Sequence, residues 1–231
     1  MKTVLKLSFL LTIMTLSNIT KADIPISEYT TKNGVKVLFF KSENIPMIDI
    51  KITFDAGADK DNTLHGISML THNLIDEGTS NMNSEEIASV FESTGAIFNA
   101  SVNKDKSSVS LRSLTEKKYF DPSIKMFLSI LSDSVFSKNE FDIQKNRTIS
   151  SIIEDESEPS EIAINLFFKK IYNKHPYAYP TNGTKNTIKK IKRKDVLSFY
   201  KKNINVNTAT IAIVSPLPNE EIIKLSEKIS K

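Results

Sequence analysis

The chain has no cysteine. That excludes disulfide bridges, thiolate catalysis and cysteine-ligated zinc, and it leaves folding stability to the apolar core alone. It also lacks an apolar run long enough to cross a membrane. The longest, Leu7 to Leu16, is about half of the ~20 residues a spanning helix needs. Internal repeats, low-complexity tracts and linker-like stretches are missing too, so 231 residues with 39% hydrophobic and 25% charged side chains read as one ordinary globular domain.

What little excess of charge there is belongs mostly to the start of the chain. Lys2 and Lys6 precede the apolar run, and the small-residue site Thr20-Lys21-Ala22 follows it. This order is that of a secretory signal peptide, so residues 1–22 are expected to direct export, periplasmic or secreted in a bacterium, and to be removed. No stable membrane insertion is expected after cleavage. Three of the 31 basic residues leave with the signal and none of the 27 acids, which brings the remainder near neutrality. A later basic cluster (Lys185, Lys189, Lys190, Lys192, Arg193, Lys194) has no interleaved aromatics, so it reads as a solvated face and not as a nucleic-acid footprint.

Strand signals come first along the chain. Glu28–Phe40 reads as a hairpin turning at Asn33-Gly34, and Met47–Phe54 alternates apolar with polar. Apolar residues at helical spacing (Ile67, Leu70, Leu74, Ile75) predict a helix over Leu64–Ile75. A second helix is expected from a capping box at Asn83 and Glu86 to Gly95. Strands at Ala96–Val102 and Ser107–Leu114 follow. Helices are then expected at Glu116–Ser134, Lys138–Asp155, Ser160–Tyr172, Arg193–Lys202 and Pro218–Ile229, with a loop at 173–184 and a late strand at Thr208–Val214. The fold class is α+β, a mostly antiparallel sheet with helices packed on one face.

Residues 66–79 read G-I-S-M-L-T-H-N-L-I-D-E-G-T. This resembles the signature helix of the M16 (insulinase/pitrilysin-like) zinc peptidases, G-x-x-H-x-x-E-H-x-x-x-x-G-T, which contains the inverted zinc motif H-x-x-E-H. Gly66 and Gly78-Thr79 frame it. The similarity extends through Ala56-Gly57-Ala58, Gly95-Ala96 with Asn99-Ala100, Phe141, Lys145, Pro159, Pro176-Tyr177, Gly183-Thr184, Phe199-Tyr200 and Asn207.

The resemblance implies that residues 23–231 form one half of a two-half clamshell that holds peptide between its halves. It also implies a zinc site in active members: two histidines one helical turn apart, a glutamate between them that activates water, and a distal glutamate as third ligand. Carried over by position, these become Met69, Asn73, His72 and Ser151. Thioether and amide are poor zinc ligands. The expectation is therefore an inactive homologue with no catalytic residue, no metal and no cofactor of its own. The strand carrying Asn99 and Ala100 is expected to keep its peptide-pairing edge, and the expected partners are peptides and a second M16 half or chain, catalytic or not.

One alternative is a zinc endopeptidase with rearranged ligands, since His65, His72, Asp76 and Glu77 lie in one segment and His72 and Asp76 are helical neighbours. Otherwise His65 caps the helix start, His72 faces solvent or a partner, and Asp76-Glu77 form an exposed turn. His175, in a proline-rich loop, has no role in either account.

Overall fold

The computed structural model describes residues 25–231. The expected signal segment, residues 1–22, lies outside them. Strands β1 (Ile26–Thr30), β2 (Lys36–Lys41) and β3 (Met47–Phe54) come first. Two helices follow, α1 (Ile67–His72) and α2 (Ser84–Thr94), then β4 (Ile97–Val102) and β5 (Ser107–Leu114). Helices α3 (Lys117–Asp133), α4 (Lys138–Asp155), α5 (Pro159–Tyr172), α6 (Lys185–Lys190) and α7 (Arg193–Asn203) precede the last strand, β6 (Thr210–Ser215), and α8 (Asn219–Ile229).

The six strands form a single sheet in the order β1-β2-β6-β3-β5-β4. Among the described strands only β2 and β6 run parallel, which fits a late strand arriving by a long helical crossover. The alternation read from the sequence sets the faces. Val37 and Phe39, Ile48 to Phe54 at every second residue, Val109, Leu111, Ile211 and Ile213 all point into one buried cluster. Ile87 and Phe91 of α2, Phe127 and Ile130 of α3, and Ile222 and Ile229 of α8 close over it. Each such side chain contributes roughly 1.5–3 kcal/mol of burial, in a protein without disulfides to share the task. The opposite face is mixed: Arg112 grips its cross-strand partner Asp49 bidentately at 2.6 and 3.0 Å, while their neighbours Ile97 and Val214 are exposed.

A second buried cluster lies between helices. Ile67, Leu70 and Leu74 pack against Phe136, Phe141 and Ile152, and against Ile188, Ile191, Val196 and Phe199. This cluster fixes α1 against α4, α6 and α7.

One expectation changes, and one element was not foreseen. The helix foreseen over 64–75 is regular only from Ile67 to His72. Beyond it the chain tightens into successive turns, with Leu74, Ile75 and Glu77 donating three residues back to Thr71, His72 and Leu74. Leu74 and Ile75 are still fully buried, so apolar spacing marked the packing and not the hydrogen-bond ladder. The lysine-rich stretch at 185–190 is a short helix, α6, capped reciprocally by Thr184 and Thr187 and anchored by the buried Ile188.

Candidate functional site

The site is built on α1. Its start is held by Asp61, whose carboxylate accepts from Gly66 N–H at 2.6 Å and Ser68 N–H at 3.1 Å. Asp61 is 3% exposed, and burial pushes its carboxyl up to about 6 despite those two bonds. His65 does not cap the helix. Its ring lies flat on Tyr179, centroids 3.6 Å apart at 12°, and its carbonyl accepts from Thr187 Oγ1 at 2.8 Å. Burial, with Lys104 nearby, lowers the His65 pKa.

Residues one helical turn apart share a face, so Met69 and Asn73 project together. They line one open cavity of about 330 Å3, whose other walls are Gln144, Arg147, Thr148 and Ser151 of α4 and Asn182 of the following loop. The two expected histidine positions and the expected distal position thus meet. None of the lining side chains is an imidazole, thiolate or carboxylate, the donors zinc favours, and one is a cation. The donor set does not fit the metal.

His72 does not line this cavity. It is 1% exposed, not solvent-facing as expected, and Nδ1 donates to the Ser68 carbonyl at 2.9 Å. Nε2 is buried with no hydrogen-bond partner among the described residues. Burial lowers its pKa to about 4, so the ring is neutral near pH 7.

The four residues of the rearranged-ligand alternative do not converge. His65 is stacked on Tyr179, and His72 is sealed in the interior. Asp76 and Glu77 are half-buried, not an exposed turn, and border a different cavity against α2. Burial raises the Asp76 carboxyl to about 6, and Glu77 accepts from the Gln144 amide. Among the described residues no three His, Asp or Glu side chains are placed to hold a metal ion.

β4 is an edge of the sheet. Asn99 and Ala100 pair with Ser110 and Val109 of β5 on one side, and no described strand pairs on the other. α1 packs against β4, so the edge and the helix carrying Met69 and Asn73 are neighbours.

Sequence reasoning missed Asp61 and Arg147. Asp61 acts from five residues before Gly66, off the usual N-cap spacing, and gave no signal. Arg147 was legible: it lies four residues before Ser151 on the same predicted helix, and so on the same face.

Comparison with known proteins agrees with this architecture. The family model described as "Insulinase (Peptidase family M16)" matches residues 36–185, well over half of the chain. An "Uncharacterized zinc protease" of Rickettsia felis is 22% identical over 199 residues, 86% of this chain and 48% of that protein. A "Non-peptidase homolog YmxG" of Helicobacter pylori is 22% identical over 82% of this chain and 44% of its own length. The crystal structure of a peptidase M16 inactive domain from Pseudomonas fluorescens superposes with a TM-score of 0.86 at 27% identity, over 89% of this chain and 50% of that one. The chain spans about half the length of the curated relatives it matches. It belongs to peptidase family M16.

Proposed function

We propose that this chain is a non-catalytic M16 homologue, exported by its first 22 residues, that binds extended peptide and supports an active M16 zinc protease. The observation that carries the reading is the cavity at the signature helix: Met69, Asn73 and Ser151 stand together where ligands would be needed, and Arg147 stands among them. The base position is His72, buried and bonded to Ser68, out of reach of that cavity's contents. An inactive-domain structure and a non-peptidase homologue among its relatives support the same reading.

Binding does not need the metal. An extended peptide can add to the free side of β4 through main-chain hydrogen bonds alone. The chain corresponds to about half of its relatives' length, which supports pairing with a second M16 half, catalytic or not.

The test is a labelled, unstructured peptide titrated into the protein, with fragments followed by mass spectrometry. Saturable binding without cleavage is expected, and alternate N-methylation of the peptide, which removes strand-pairing N–H groups, should abolish it. Chelator-sensitive cleavage would contradict the reading, as would equal binding of the N-methylated peptide.

A further inference from the structure

We propose that the cavity between α1 and α4 binds a carboxylate group, so that the position of the zinc cation has become an anion site. The inference rests on the peptide-binding reading above and names the group on the peptide that the cavity would take.

Three observations carry it. Among the described residues, Arg147 is the one charged side chain lining the cavity. Its guanidinium makes no hydrogen bond or ion pair with any described residue, so all its donors remain available. The amide of Asn73 and the hydroxyl of Ser151 are equally unengaged and border the same space. A planar guanidinium flanked by two neutral donors matches a carboxylate, which accepts bidentately and uses the remaining lone pairs on the amide and hydroxyl.

Two acids stand behind the cavity, and both are engaged. Glu77 accepts from the amide of Gln144, and Asp155 accepts from that of Asn182 at 2.9 Å. They weaken the field of Arg147 without cancelling it, because neither lines the cavity. The same inventory disfavours a metal ion: a fixed positive charge and no anionic ligand.

The source of the carboxylate follows from position. α1 packs on β4, the strand edge assigned to peptide, so a peptide on that edge passes beside the cavity. Peptides carry carboxylates at their C-terminus and on Asp and Glu side chains, and one experiment separates the two.

Three labelled peptides of one apolar sequence are titrated into the full chain by fluorescence anisotropy: one with a free C-terminus, one C-terminally amidated, and one amidated with a single internal Glu. At least one acid-bearing peptide should bind about tenfold or more tightly than the neutral one, and which of them does so identifies the source. Arg147→Gln should bring the acid peptides down to the affinity of the neutral peptide. Ser151→Asp, which puts a negative charge one helical turn from Arg147 and offers the guanidinium an internal carboxylate, should do the same or reverse the preference. Equal affinity for all three peptides, or a preference that survives Arg147→Gln, overturns this inference and leaves the peptide-binding reading standing. No binding of any peptide overturns both.

Discussion

His72 occupies the position at which active M16 members are expected to carry the catalytic glutamate, and here the fold treats it as core. Its Nδ1–H is spent on Ser68, while Nε2 is sealed with no partner among the described residues, an arrangement tolerable only for the neutral ring. Because burial lowers the folded-state pKa to about 4, below the ordinary 6.5, the unfolded chain takes up this proton first. The stability His72 contributes is therefore complete above pH ~6.5 and is lost as pH falls toward 4. Asp61 and Asp76, both raised to about 6, act in the opposite sense across the same range and mask it. A variant isolates the effect. Between pH 7 and pH 4.5 the parent should lose about 2 kcal/mol more unfolding free energy than His72→Leu, read from urea titrations at the two pH values. Identical pH slopes would show that the imidazole is not buried.

At the scale of elements, α1 is held by a backbone crossing that two motif glycines make possible. Gly66, at φ 95°, passes so close to the 182–183 segment that an added Cβ would lie 2.6 Å from the Asn182 carbonyl oxygen; at Gly183, φ 77°, it would lie 2.2 Å from that of His65. Both conformations favour glycine, and neither contact leaves room for a methyl group. Gly66→Ala should cost at least about 2 kcal/mol of stability by chemical denaturation, the strain at positive φ adding to the clash. A cost within experimental error would mean that the two segments do not cross.

These elements also show what the sequence revealed. The β3 alternation, the Asn83–Glu86 cap and the bounds of α4 were readable because each depends on local chemistry that the structure keeps. The early end of α1 was not, because Leu74 and Ile75 bury equally well from turns. α6 was hidden because its three lysines and the three basic residues that follow advertise a solvent face while one isoleucine within it, Ile188, does the anchoring. In the site, the meeting of Met69, Asn73 and Ser151 followed from motif position. The burial of His72 did not, because a histidine at that spacing fits solvent or core alike.

For the whole molecule, the sheet exposes a mixed polar and apolar face and, among the described strands, an unpaired β4 edge, while the helices close the other face. No helix among the described residues is long and apolar enough to cross a membrane. The architecture is an M16 half; on our reading its peptide edge is kept and its metal donors are gone. Calorimetric zinc titration tests the loss of the metal donors most directly. The parent chain should show no stoichiometric zinc binding at micromolar concentrations, whereas Met69→His/Asn73→His/Ser151→Glu should gain it, because those three positions line one cavity. One zinc bound per parent chain would contradict the account, and a folded triple variant that gains no zinc would show that this cavity is not where the family's metal sits.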